Sequence, residues 1–309
     1  MCVGGSAELA RGLVEVIEAE GGTVRCGIEI KRILMRGGRA VGVELGSGER
    51  IAADGFVASG LNPQQTFLQL LPESEIAHSL RRQARGFQYN LLAPLFGLHL
   101  ALTEPPQYSA ANSDPELRDA FMLILGLERF EQFHEIVAAH ERGEIPPPVA
   151  WGSCPTQFDP SQSTGGKHAA FLWEKLPYQL RGDATKWAQQ RDSHGEELLK
   201  FWRQYAPNLS GATILDRFCL SPADTERSLP NMFQGDLLVG SFANDQIGYN
   251  RPFAGAGCYR TPVDGLYLCG GSTHPGGNIT GLCGYNAAGV IAADSGARRW
   301  WPEAATMDP

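Results

Sequence analysis

The chain has seven cysteines, and no two of them form a C-x-x-C pair. Cys2, Cys26, Cys154, Cys219, Cys258, Cys269 and Cys283 are scattered and odd in number, which speaks against a zinc centre or a dithiol redox pair. In a chain of 309 residues they read as reduced, buried thiols of a cytosolic protein. Positive charge is scarce as well. Twenty-six Lys and Arg against 34 Asp and Glu leave a net −8, the wrong sign for a clustered nucleic-acid footprint. The basic knots "RRQAR" (Arg81–Arg85) and "RRWW" (Arg298–Trp301) read as solvated helix ends. Long apolar runs are missing too: "LLAPLFGLHLAL" (Leu91–Leu102) falls short of the ~20 residues of a bilayer span and is broken by Pro94, Gly97 and His99. The opening residues show no basic region leading into an apolar stretch, so no secretory signal is expected. No Ser/His/Asp nucleophile set is legible. His78, His99, His134, His140, His168 and His194 lack metal spacing; His134 and His140, six apart, do not share a helix face as i,i+4 residues would.

What is present is a globular composition, 43% hydrophobic and 19% charged, and a length that suits about two domains. Leu9, Leu13, Val16 and Ile17 recur at helical spacing, with Ser6 as a candidate cap and Gly21-Gly22 as a stop. "TVRCGIEIKRILM", "VGVEL" and "RIAADGFVAS", separated by the glycine turns "RGGRA" and "GSGE", predict a small β-meander returning to an apolar strand. Asn62-Pro63 starts a helix through Leu71. From about residue 73 the pattern changes. Helical stretches at Glu75–Arg85, Glu116–Arg142 and Asp183–Tyr205 alternate with strands at Leu91–Leu102, Val149–Ser153, Ala169–Lys175 and Ala212–Leu220. The reading is one discontinuous domain, 1–72 plus 240–309, with a second domain, 73–239, inserted.

Residues 265–289, "GLYLCGGSTHPGGNITGLCGYNAAG", carry the chemistry. A strand, Leu266–Cys269, meets Gly270 and Gly271; a polar loop with Gly276 and Gly277 then leads into an Ala-rich helix, expected from about Thr280 to Arg298. Glycine lets backbone N–H groups approach a ligand closely. A helix start adds unpaired donors and about half a positive charge. That combination suits a phosphate or a developing anion such as the N1–C2=O edge of a reduced flavin. A turn of this kind can also bind nothing. Four glycines between 270 and 277, with a fifth at Gly281, exceed what one turn needs.

The stretch "YRTPVDGLYLCGGSTHPGGNITGLCGYNAA" resembles the C-terminal signature of the phytoene-dehydrogenase-like FAD-dependent oxidoreductases. The similarity is greatest to the branch of pyridine nucleotide-disulfide oxidoreductase domain-containing protein 2. It extends over nearly the whole chain: "GGSAELARGLVEVIEAEGGTVRCGIEIKRILMRGGRAVGVELGSGERIAAD", "FDPSQSTGGKH", "YAPNL", "SPADTER" and "NDQIGYNRPFAGAGCYRTP" fall in the family's order. The resemblance implies an α/β (α+β) chain of the amine-oxidase superfamily: a partial FAD-binding Rossmann-like domain with an inserted sheet-and-helix substrate domain. Carried over, Ile30 would meet the adenine through its backbone. Gly270, Gly271 and Ser272 would lie by the pyrophosphate and ribityl chain, and Gly277, Asn278, Ile279, Thr280 and Gly281 would face the flavin ring. The family often has glycine where this chain has Asn278. Gln246 and Arg251 match positions lining the substrate side, although a structural loop is an equal reading of both.

One family feature has no counterpart. Members carry a strand, a G-x-G-x-x-G turn and a helix that cradle the pyrophosphate; here "GSGERI" sits in a hairpin and "GAGCYR" in a loop. The implied site is therefore incomplete in this sequence; its other half is expected on a separate partner chain, or else lost, unless the sequence is a piece of a longer protein. The implied function is part of a desaturase- or amine-oxidase-type enzyme moving hydride from an apolar or amphipathic small molecule to flavin. The alternative is a non-catalytic binding or assembly subunit that keeps the fold without flavin. Among single residues, His274 in "STHPGG" either donates near the flavin or orients the turn beside Pro275. Asp224 and Glu226 in "SPADTER" read as part of a capped helix start with Pro222. The strand Leu91–Leu102 either floors a cavity for a greasy substrate or is a plain buried strand.

Overall fold

The computed structural model describes residues 2–298 and Trp301. They divide into two compact units, Met1–Cys26 with Leu91–Pro230, and Gly27–Asn90 with Asn231–Pro309. Structural boundaries thus fall at 26/27, 90/91 and 230/231, beside the expected 72/73 and 239/240, and the first 26 residues group with the inserted stretch. In chain order the helices are α1 (Ala7–Ala19), α2 (His78–Arg85), α3 (Gln132–Arg142), α4 (Trp187–Tyr205), α5 (Pro222–Ser228) and α6 (Leu282–Asp294). The strands are β1 (Ile30–Arg36), β2 (Arg39–Leu45), β3 (Arg50–Ala52), β4 (Val57–Ser59), β5 (Leu95–Leu102), β6 (Leu123–Leu125), β7 (Ala150–Ser153), β8 (His168–Lys175), β9 (Ile214–Leu220) and β10 (Leu266–Leu268).

The unit containing residues 91–230 is built on an antiparallel sheet in the order β6-β7-β8-β5-β9. Alternation along β5 sends Phe96, Leu98, Leu100 and Leu102 to one face, joined by Ala170 and Leu172 of β8. Helix α4 closes that face with Leu198, Leu199 and Trp202, all fully buried. Each such side chain removed from water contributes about 1.5–3 kcal/mol, so this face forms the unit's core. The strand reading of 91–102 holds from Leu95 onward. Helix α5 opens with a reciprocal capping box between Ser221 and Asp224, with Pro222 in its first turn, so Asp224 serves the helix end. The Glu226 carboxylate accepts the Tyr178 hydroxyl.

Two local expectations are corrected here. The helix expected over Glu116–Arg142 is interrupted, because Leu123–Leu125 pairs with β7 and the chain turns helical again only at Gln132. The edge of a sheet competes with helix for a short apolar triplet and wins. Ser6 has helical backbone angles, and its side chain makes no cap. The stripe of α1 is formed as expected but lies in the open: Leu9, Leu13, Val16 and Ile17 are 43–60% exposed.

In the unit containing residues 27–90 and 231 onward, β1, β2 and β3 form the antiparallel meander. Strand β4 pairs in parallel with β10, Val57 opposite Leu266 and Ser59 opposite Leu268. The strand expected at Thr23–Cys26 is absent. Those residues are irregular and mostly exposed, with no ladder partner among the described residues. The helix after Asn62 is short and includes a π-turn, Gln65–Gln69; that expected at Glu75–Arg85 starts as α2 at His78. Ile33, Phe67, Leu71, Leu80, Val263, Leu266 and Leu268 make the core. On the meander, Glu44 gathers Arg32, Lys31 and Arg50. The Arg32 hydrogen bond, above all, holds its carboxyl down at about 2. Arg81–Arg85 ends α2, as a solvated helix end should; Arg299 and Trp300 of the second basic knot lie outside the described residues.

Candidate functional site

Because β4 and β10 run parallel, their C-terminal ends come out side by side, and the Cys269 amide donates to the Ser59 carbonyl at 2.9 Å. Directly beyond, Gly270 lies against Gly60 so closely that a Cβ at 270 would collide with the Gly60 carbonyl oxygen. Loop residues 270–277 then fold back on themselves. The Thr273 hydroxyl donates to the Gly270 carbonyl at 2.8 Å. Cβ atoms at Gly276 and Gly277 would stand 2.6 Å from the Phe242 ring and 2.9 Å from the Leu238 carbonyl. This half of the loop owes its glycines to packing.

Arg251 is the knot that holds it. The side chain is fully buried, and its guanidinium donates to the carbonyls of Leu238, Val239, Gly240, Ser241 and Gln246 and, across the loop, of Gly271 and Thr273, at 2.8–3.4 Å. It also stacks on Phe242, 4.5 Å from the ring centroid. Burial pulls its pKa below the ordinary arginine value, while Cys283 and Asp236 pull the other way. Asp236, itself buried, accepts from the Asn90, Leu238 and Gly240 amides and so shapes the turn that Arg251 binds. Gln246 is buried and clasps the backbone of Gln88, accepting its N–H at 2.6 Å and donating to its carbonyl at 2.9 Å. Both candidates for the substrate side thus direct their polar groups to backbone.

Past Gly277 the loop changes. Asn278 has φ +146° and Ile279 φ +60°, and Gly281 follows at φ +70°. A β-branched residue in the left-handed region is an outlier that costs on the order of 1–3 kcal/mol. Ile279 carries that strain in the open, 88% exposed. Gly281 is the N-cap of α6 and supplies no side-chain cap, and a Cβ there would meet nothing within 4 Å. The helix begins two residues later than expected and ends at Asp294. Its first turn is tied to the packed half of the loop, since the Cys283 thiol donates to the Thr273 and Gly276 carbonyls. Asn286 donates to the Tyr259 hydroxyl, which donates to the His274 carbonyl, both at 2.8 Å. Thr280 Oγ1 accepts from the Leu282 amide at 3.3 Å.

The sequence-predicted residues from Gly270 to Gly281 therefore form one continuous loop with Arg251 beneath it. The His274 ring is exposed, and only its carbonyl is engaged. Ile30 stands at the start of β1 opposite Leu45. Asp236, Phe242, Tyr259, Cys283 and Asn286 were not singled out from the sequence. Their roles depend on which carbonyl or ring lies opposite after folding, and no local pattern announces that.

One atom in the loop is unaccounted for. Ser272 is fully buried, and its Oγ has no hydrogen-bond partner among the described residues. A buried hydroxyl left unpaired costs about 1–3 kcal/mol. An orphaned donor, a helix start capped at its first amide alone and a strained open backbone are all suited to a ligand rich in acceptors. The FAD implied by the resemblance is such a ligand, and Ser272, the 278–281 backbone and the first turn of α6 fit its ribityl and ring portions. No G-x-G-x-x-G run lies within these 309 residues.

Comparison with known proteins bears on the fold and the family. The chain is 32% identical to a limonene dehydrogenase subunit of Castellaniella defragrans, over 97% of this chain and 56% of that protein. It is 30% identical to pyridine nucleotide-disulfide oxidoreductase domain-containing protein 2 of Mus musculus, over 83% of this chain and 44% of that one. A lycopene-forming phytoene desaturase of Paracoccus sp. is 27% identical, over 91% and 52%. The chain thus spans about half the length of the curated relatives it matches. No family model matches it. Among solved structures, a putrescine oxidase variant redesigned in cofactor binding superposes with a TM-score of 0.57 at 12% identity, over 94% of this chain and 53% of that one. An oxidoreductase from Methanosarcina mazei gives 0.54 at 19%, over 95% and 55%. These likenesses show the fold, an α/β Rossmann-like oxidoreductase fold of which this chain covers about half.

Proposed function

We infer that this chain, which belongs to the phytoene-dehydrogenase-like family of FAD-dependent oxidoreductases, supplies the flavin-ring side of a dehydrogenase or desaturase site. The observation that carries the reading is the orphaned Ser272 hydroxyl in a loop that leads through strained backbone to the start of α6. Bound there, FAD supplies hydride acceptance at N5. The chain's own part is to position and to stabilise. Ser272 Oγ–H gives a buried donor to the ribityl or phosphate oxygens. The 278–281 backbone and the first N–H groups of α6 present positive potential to the ring edge where negative charge develops. Arg251 keeps both in place from below.

The substrate is an apolar or amphipathic small molecule that gives up hydride from a C–H or C–N bond. The pyrophosphate cradle comes from a separate chain bearing the strand–G-x-G-x-x-G–helix unit. The limonene dehydrogenase relative is itself one subunit of an enzyme, which supports that hetero-oligomeric reading. The glycine stretches "GSGERI" and "GAGCYR" fit it as well, since neither joins a strand to a helix. A second reading, a binding or assembly subunit without flavin, is favoured by one observation: Gly270, Gly276 and Gly277 are each required by packing, with or without a ligand.

Co-expression separates the two. A chain encoding the strand–G-x-G-x-x-G–helix unit, co-purified with this one, is expected to give a complex with a stoichiometric flavin spectrum, while this chain alone carries little. A stable colourless complex supports the assembly subunit, and full flavin on the isolated chain removes the need for a partner.

A further inference from the structure

We propose that the unit Met1–Cys26 with Leu91–Pro230 holds a second small-molecule site, in which Tyr108 and Arg118 bind the carboxylate of a compact organic acid whose apolar body fills the cavity beside them. The cavity measures about 270 Å³, and every residue lining it belongs to this unit. It therefore shares no residue with the glycine loop and does not depend on flavin. An apolar cavity of ~150 Å³ is enough for benzene. This one has room for a single six-membered ring, or a branched chain of similar bulk, together with a carboxyl group.

The chemistry of the lining selects the ligand. Pro105, Pro106, Leu117 and Leu123 give an apolar wall. Tyr108 brings a hydroxyl whose oxygen already accepts the Trp202 indole N–H at 3.1 Å. Its proton is therefore directed elsewhere, and it has no acceptor among the described residues. Burial pushes the phenol up to about 12, so it stays a neutral donor throughout the physiological range. Arg118 lines the cavity while remaining exposed, which places it at the mouth. It has no ion-pair partner among the described residues. No Asp or Glu lines the cavity, although Glu116 and Asp119 flank Arg118 on the same short turn. An exposed guanidinium and a phenol hydroxyl on two residues of one lining match the two oxygens of a carboxylate, and charge-assisted bonds of this kind are roughly twice as strong as neutral ones. A cation has nothing to pair with. Cys154 also lines the cavity, but burial pushes its thiol up, away from the nucleophilic thiolate, so it is not poised to attack a ligand there.

The test uses the full chain, cyclohexanecarboxylate as probe and cyclohexanecarboxamide as its neutral counterpart. Titration is followed through the indole N–H resonances. The expected result is saturable carboxylate binding that shifts Trp202, bonded to Tyr108, and leaves Trp187, bonded to the Pro177 and Tyr178 carbonyls, unmoved. Arg118→Gln, an exposed change that leaves the fold intact, is expected to weaken the carboxylate at least tenfold and the carboxamide hardly at all. Tyr108→Phe is expected to weaken both a few-fold. Absence of saturable binding to the wild-type chain, shifts confined to other residues, or equal carboxylate affinity in Arg118→Gln each overturns the proposal.

Discussion

The two halves of the glycine loop look alike in sequence and differ in kind. From Gly270 to Gly277 the chain is packed: side chains at 272 and 273 are buried, and Cβ atoms at 270, 276 and 277 would meet backbone or a ring. From Asn278 to Gly281 it is open and strained, with a Cβ at 281 meeting nothing. A glycine in the first half is needed by the protein. The glycine of the second half, Gly281, is called for by its φ and not by packing, and the space beside it is left for a ligand. Glycine count alone merges the two roles.

The comparison breaks most severely at Arg251. Replacing it with Met leaves several buried carbonyls without a donor, and a loss of about 3–5 kcal/mol is expected, read as a large drop in melting temperature of the isolated chain. Arg251→Lys, which cannot reach all of those carbonyls, should recover only part of the loss. Gly270→Ala comes next, at about 3 kcal/mol or more, because the added carbon meets backbone that cannot step aside; it too should show in the melt without any flavin present. An unchanged melting temperature in Gly270→Ala would mean that the packed half is looser than described.

Gly281→Val tests the other half. Strain at φ +70° is worth about 1–3 kcal/mol, and the side chain would stand where the ring edge is placed. In the reconstituted complex, flavin content and turnover should fall well beyond what the melt explains. Thr280→Ala keeps the backbone N–H and should change flavin content little. Equal effects of the two substitutions would place the ring elsewhere.

The smallest effect lies away from the loop, at Glu44. Its folded-state pKa is depressed to about 2, so the stability it contributes is present above the unfolded carboxylate value and is lost as pH falls through the folded one. The gap between wild type and Glu44→Gln should therefore close between roughly pH 4.5 and 2. A gap independent of pH would mean that Glu44 is not held ionised by Arg32, Lys31 and Arg50.

Much of the fold was legible in the sequence, for reasons that particular residues show. The strand–loop–helix order around Gly270 and Gly281 could be read because glycine, apolar strand and Ala-rich helix each leave a local mark. The meander was legible from its glycine turns, and β5 from its apolar run. Leu123–Leu125 was not, since three apolar residues inside an amphipathic stretch fit helix or strand until β7 takes them as an edge. Thr23–Cys26 has the composition of a strand, but composition does not supply a pairing partner. Arg251 and Gln246 matched substrate-side family positions and suited a structural loop equally, because sequence reports polarity and not burial. Loop closure over residues 238–246 is what removes them from solvent. The distinction between Gly270 and Gly281 was equally hidden, since it lies in φ and in the distance to Gly60.

Whether the start of α6 faces the flavin ring is decided by the reduction potential of the reconstituted complex. Asn278→Asp places a carboxylate in the open half of the loop, where it should oppose the negative charge of reduced flavin. The expected result is a lower potential than wild type, with flavin still bound and the melting temperature little changed. A potential equal to wild type in a folded, flavin-loaded Asn278→Asp complex would contradict the placement of the ring at this helix.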